Sequence, residues 1–148
     1  MTTNIHIQAE DFDVADEIEA LNGSDIGAVA SFVGLVRGGG GLDAMTLEHY
    51  PGMTEREIGR IVADARTRWA LGGVTIIHRV GRLCVGERIV LVAVAAAHRT
   101  AAFEACQFLM DYLKTRAPFW KTEERGGETA WVEAKDTDDA AAERWRRP

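Results

Sequence analysis

The nine-residue apolar run Ile89–Ala97 (I-V-L-V-A-V-A-A-A) constrains this chain more than any other segment. A spanning helix needs roughly 20 apolar residues, so the run is far too short for one. A continuous apolar stretch without polar alternation reads instead as a long buried strand, Arg88–Ala97. It ends on a cationic pair, His98-Arg99. The strongest helical pattern in the chain follows, Thr100–Arg116. There Phe103, Cys106, Met110 and Leu113 form an apolar stripe, widened by Ala102 and Leu109. Pro118 enforces its end. Two lysines, Lys114 and Lys121, flank Ala117-Pro118.

These cations stand in an acidic chain: 148 residues carry 17 basic and 23 acidic side chains, a net charge of −6. That balance argues against broad nucleic-acid binding, which depends on phosphate neutralisation. It leaves room for a local anion site. A strand end leading into a helix N-terminus offers free N–H groups and the positive end of the helix dipole, a natural seat for a phosphate or carboxylate. An anionic small molecule is therefore the first candidate ligand. The length suits one domain with a real core. The N-terminus has neither a basic stretch nor an apolar segment of a secretory signal, so a soluble, cytoplasmic protein is expected. Cys84 and Cys106 lack C-x-x-C or metal-ligand spacing and read as free thiols used in packing.

Along the rest of the chain, Asn4–Gln8 alternates as a short strand, and Asp13 caps a helix over Val14–Leu21. Ala28–Val36 and Met45–Tyr50 read as strands of one long-looped hairpin. Between them Arg37 precedes four glycines, Gly38–Gly41, a run with high backbone entropy that reads as a mobile loop. Thr54-Glu55-Arg56-Glu57 fits a capping box with Thr54 as N-cap. Ile58, Ile61, Val62, Ala65 and Trp69 then recur as an amphipathic helix. Val74–Val80 is a strand, and Phe119–Glu124 with Thr129–Ala134 reads as a hairpin. The polar segment from Asp136 reads as a surface helix or disordered chain. The order β-α-β-β-α-β-β-α-β-β predicts an α+β fold, one domain with a mainly antiparallel sheet and packed helices.

Taken singly, the candidate residues have ordinary explanations. A lysine in a last helical turn, as at Lys114, compensates the dipole. Lys121 reads as an exposed strand residue, and Arg37 as a surface arginine or a phosphate clamp beside a loop. A lysine partly buried against Phe119 and Trp120 would have a lowered pKa suited to proton transfer. The glycine run is not a P-loop, because no Gly-Lys-Ser/Thr follows. His49 and His78 alternate as structural strand residues without metal-ligand spacing.

Several segments together carry a family likeness: Gly27–Arg37, L-E-H-Y-P-G-M-T-E over Leu47–Glu55, H-R-V-G over His78–Gly81, Ala97–Lys121 with D-Y-L-K-T-R-A-P-F-W-K, and Trp131–Ala134. Over roughly residues 4–135 the chain resembles the large, catalytic subunit of molybdopterin synthase. The resemblance implies an α/β-hammerhead type of fold over residues 1–135, with 136–148 as a polar tail. It implies a sulfur transferase of molybdenum cofactor biosynthesis, acting on a cyclic pyranopterin monophosphate. The sulfur donor is a small ubiquitin-like subunit ending in a Gly-Gly thiocarboxylate. The large subunit forms a homodimer within a heterotetramer. By the matching motifs, substrate contacts fall on Leu35, Val36, Arg37, His98, Arg99, Lys114, Lys121, Thr122 and Glu123. Lys114 and Lys121 are the catalytic candidates, and no metal or cofactor is expected, because sulfur arrives already activated. The sequence departs from the family at Gly38–Gly41, where a polar loop is usual.

Arg99 and Lys114 are fifteen residues apart, about 22 Å along one straight helix. A pterin is too small to touch both. The expectation is a pocket across a dimer interface, with His98-Arg99 of one protomer facing Lys114 and Lys121 of the other. Two further readings compete: a dimeric scaffold that captures a protein tail by strand addition, and a phosphate-ligand sensor. A scaffold tolerates loss of Lys114, whereas an enzyme does not.

Overall fold

The apolar run lies at the centre of the structure, a computed structural model that describes residues 2–132 and 136–147. In chain order the elements are β1 (Thr2–Gln8), α1 (Val14–Glu19), β2 (Ala28–Leu35), β3 (Leu42–His49), α2 (Met53–Arg68) and β4 (Gly73–Arg79). There follow β5 (Gly81–Cys84), β6 (Arg88–Ala96), α3 (Arg99–Thr115), β7 (Phe119–Arg125), β8 (Glu128–Val132) and α4 (Asp136–Glu143). Glu133 and Ala134, the end of the expected strand over 129–134, lie outside the described residues, as does Lys135.

The described strands form two four-stranded sheets, β1-β4-β6-β2 and β5-β3-β7-β8. All pairings are antiparallel except β1 with β4. In β6 every residue from Val90 to Ala96 is buried. Val90, Val92, Val94 and Ala96 pack in the main core with α2 and α3, while Leu91, Ala93 and Ala95 face a second cluster with Phe12, Leu21 and Ile77. Both faces of the strand are covered, which is why its sequence does not alternate.

The expected hairpin over 28–50 does not form. β2 pairs with β6 in one sheet, and β3 pairs with β5 and β7 in the other. The hydrogen-bonding edge of β2 is taken by β6, and Met45 and Leu47 of β3 pack instead with Val36 and Leu83. The glycine segment thus carries the chain from sheet to sheet, with positive φ at Gly39, Gly40 and Gly41. Strand β5 was not visible in the sequence, being only four residues long. Gly81, at φ 91°, makes the corresponding second crossing between sheets after β4.

Helix α2 starts earlier than Thr54. Gly52 is its N-cap, and the Glu55 carboxylate accepts from the Gly52 N–H. Thr54 is fully buried and has another task. Its hydroxyl accepts from the Tyr50 N–H at 2.9 Å and donates to the Pro118 carbonyl at 3.1 Å. The start of α2 is thereby tied to the turn that feeds β7. Helix α3 buries Ala102, Ala105, Cys106, Phe108, Leu109, Met110, Tyr112 and Leu113. Phe103 is not part of this stripe; it is 64% exposed. Beyond α4, Trp145 packs edge-on against Trp69 and Phe108, and its indole N–H donates to Asp111 at 2.6 Å. No helix among the described residues is long and apolar enough to cross a membrane.

Candidate functional site

Lys114 stands in the last turn of α3 and Lys121 in the middle of β7, so the tight turn at Ala117-Pro118 folds one back toward the other. β7 is fixed in register by β3, with Lys121 opposite Leu47. Both lysines line one cavity of about 240 Å³, together with His78, Phe119, Leu47 and Asp138. A second cavity of about 400 Å³ is lined by Phe32–Leu35, Arg37 and Met110. The two share His78, Ile89, Leu113 and Lys114, which form the wall between them. Asp138 reaches the first cavity from α4, whose far end is anchored by Trp145. Charged and polar groups thus converge on an otherwise apolar hollow, the usual composition of a small-molecule site.

Alternation in the sequence predicts a structural strand position for His78, but the structure places it in the walls of both cavities. Its ring stacks on Phe119, with centroids 3.8 Å apart and planes 17° from parallel. Its Nδ1 lies 2.9 Å from the Arg79 carbonyl. A carbonyl only accepts, so Nδ1 carries the proton, and in the neutral imidazole Nε2 keeps its lone pair. Burial pushes the His78 pKa down from 6.5 to about 4; the hydrogen bond to Arg79 opposes the shift, and positive charge at Lys114 and His49 adds to it. The ring is therefore uncharged at neutral pH. No local pattern marks this residue: its role arises from Phe119 and Lys114, distant in sequence.

The other expected residues fall in three places. Leu35 and Arg37 are exposed and line the second cavity, whereas Val36 between them is buried beside Met45 and Leu83. His98 and Arg99 are exposed at the opposite end of α3 from Lys114, outside both cavities. His98 is the N-cap but makes no capping bond with its side chain, and the first turn contains no acidic residue. That leaves a cationic helix start with N–H groups open to an anion. Thr122 and Glu123 follow Lys121 in β7. Alternation puts Thr122 on the face opposite Lys121, and Glu123 forms an ion pair with Arg125 at 2.9 Å. Arg125 also donates to the Gly40 carbonyl at 3.1 Å, tying the glycine segment to the β7–β8 hairpin.

The cysteines differ from each other. Cys106 is buried, and burial raises its pKa to about 11. Cys84 is exposed rather than packed, within 3.5 Å of the Arg82 guanidinium. Among the described residues no three His, Cys, Asp or Glu side chains are grouped as metal ligands.

Known proteins resemble this chain over most of its length. Residues 7–116 match the family model described as MoaE protein. A relative from Mesorhizobium japonicum named molybdopterin synthase catalytic subunit is 60% identical, with 99% of this chain and 95% of the relative aligned. The solved structure of the molybdopterin biosynthesis MoaE protein from Burkholderia ambifaria superposes with a TM-score of 0.84 at 51% identity, covering 97% of each chain. A complex of subunits 1 and 2 of the molybdopterin-converting factor from Helicobacter pylori shares the fold, with a TM-score of 0.74 at 18% identity over 90% of this chain and 91% of that one.

Proposed function

We propose how the site works from the premise that this chain belongs to the MoaE family, the catalytic subunits of molybdopterin synthase. The activity is sulfur transfer in molybdenum cofactor biosynthesis. A cyclic pyranopterin monophosphate becomes molybdopterin with sulfur from the C-terminal thiocarboxylate of a small ubiquitin-like subunit. The observation that carries the site assignment is the convergence of Lys114 and Lys121, from different elements, on one cavity.

In this reading Arg37, His98 and Arg99 recognise the substrate phosphate through charge-assisted hydrogen bonds. Leu35 lines the apolar lobe beside Arg37, and Val36 holds that segment in the core. Lys114, at the wall shared by the two lobes, meets both the donor's thiocarboxylate and the pterin. Its ammonium polarises the acyl group as sulfur leaves. Lys121 stabilises the negative charge that develops. Thr122 and Glu123 keep β7 and the glycine segment in place around the substrate. Because α3 separates His98-Arg99 from Lys114 by about 22 Å, the complete pocket is shared between two protomers of a cytoplasmic homodimer, with a small subunit bound to each.

The test mixes the protein with thiocarboxylated small subunit and the pyranopterin monophosphate and measures the dithiolene product. Lys114→Ala and Lys121→Ala are expected to lose at least ~100-fold in turnover while still co-eluting with the small subunit. Full turnover by either variant would remove that lysine from the chemistry. Full turnover by both would place the chemistry on other groups of the site.

A further inference from the structure

We infer that His78 is a catalytic base of this reaction, taking at Nε2 a proton from the water that replaces sulfur on the donor's acyl carbon. The inference rests on the function proposed above. A thiocarboxylate that has given up its sulfur departs as a carboxylate, so one oxygen must reach the acyl carbon. Once the donor's sulfur is bonded to a pterin carbon, the water oxygen attacks the acyl carbon. A C–O bond forms and the acyl C–S bond breaks. The electron pair stays on sulfur, as a thiolate carried by the pterin. One water proton passes to His78, and the second is lost to solvent as the new carboxylic acid ionises. Nothing is oxidised or reduced.

Few groups around the lysine cavity can take that proton. The function proposed above already gives Lys114 and Lys121 another task, as donors to the acyl group and to the charge that develops. His78 and Asp138 remain. Asp138 lines one cavity alone, whereas His78 lines both, at the wall where it meets Lys114. The acyl carbon bonded to substrate sulfur has to sit at such a junction, because it belongs to both ligands at once. The hydrogen bond of Nδ1 to Arg79 and the stack on Phe119 fix the ring, and Nε2 makes no hydrogen bond among the described residues.

The charged groups around the ring bear on its basicity. Lys114 on α3 and His49 on β3 act on it directly and disfavour its cation. Lys121 on β7, Asp138 on α4 and Arg37 after β2 line the same cavities. A bound phosphate and the developing thiolate bring negative charge to this cluster. That raises the proton affinity of the imidazole toward the range in which a general base is effective.

The experiment is a single-turnover reaction of the two-subunit complex, followed by intact mass of the donor subunit. His78→Asn keeps an amide N–H where Nδ1 lies, and His78→Gln puts an amide where Nε2 lies; neither takes a proton at neutral pH. Both variants are expected to form the donor–sulfur–pterin adduct and to resolve it ~100-fold more slowly than wild type. In heavy-oxygen water the wild-type donor is expected to gain label in its new carboxylate. Wild-type-rate resolution in either folded variant, absence of the adduct in both, or an unlabelled wild-type carboxylate overturns the inference. Should both variants fail to fold, wild type decides. Adduct resolution that slows on acidification along a single ionisation supports His78, and a pH-independent rate excludes it. No transfer by wild type overturns the proposed function as well, whereas transfer with fast resolution in the variants overturns this inference alone.

Discussion

A histidine buried as its neutral form makes the fold sensitive to acid. The His78 pKa falls from 6.5 in the unfolded reference to about 4 in the native chain. Between those values the unfolded chain binds a proton that the native chain refuses, so stability is full above the upper value and is lost as pH falls toward the lower one. A shift of this size corresponds to about 3 kcal/mol. Urea midpoints of wild type are therefore expected to fall between neutral pH and pH of about 4 more steeply than those of His78→Gln; parallel profiles would show that His78 is not the group responsible. The two cysteines separate in the same way. At neutral pH a thiol alkylator is expected to modify exposed Cys84 and to spare Cys106, whose thiol burial holds near 11. Peptide mapping reads this, and labelling of native Cys106 would contradict the packing described. The lysines stood out in the sequence because they flank a helix stop in an acidic chain. His78 did not, because its surroundings are assembled from Phe119, Lys114 and His49 on three other elements.

At the scale of elements, the cavity depends on how α2 is pinned to β7. The Thr54 hydroxyl bridges the Tyr50 N–H and the Pro118 carbonyl, one residue before β7 begins. Thr54→Val keeps the shape and removes both bonds, leaving a buried donor and acceptor unsatisfied, at a cost of about 1–3 kcal/mol. Thr54→Ser keeps the hydroxyl and is expected to restore most of that stability. Equal denaturation midpoints for Thr54→Val and wild type would show that the bridge contributes nothing. This contact also shows what a sequence conceals. Thr54 followed by Glu57 has the local signature of a cap, but a partner 64 residues away claims the hydroxyl. The long elements were legible: β6 from its unbroken apolar run, and α3 from its periodicity and Pro118. The pairing of β2 was not. Its alternation says that one face is buried but not which strand covers the edge, and a loop of glycines closes a hairpin or crosses between sheets equally well.

The whole molecule presents two groups of cations at opposite ends of one helix. His98 and Arg99 begin α3, and Lys114 lies in its last turn, beside Lys121 of β7. Were every group to act within one protomer, a ligand would have to bridge about 22 Å, which a pterin monophosphate does not. A pocket shared across a two-fold axis removes the difficulty and makes a quantitative prediction. A chain carrying His98→Ala and Arg99→Ala and a chain carrying Lys114→Ala are each expected to be inactive alone. In a mixed dimer one pocket combines both lesions and the other combines neither. One of the two pockets in each mixed dimer is intact, so the purified mixed dimer is expected to regain about half of the wild-type activity. The measurement co-expresses the two chains under separate tags, purifies the mixed dimer and assays it with thiocarboxylated small subunit. Activity no greater than that of either parent would place all four side chains in one protomer's site. The half-sites would then have to meet by a movement of α3, not by dimerisation.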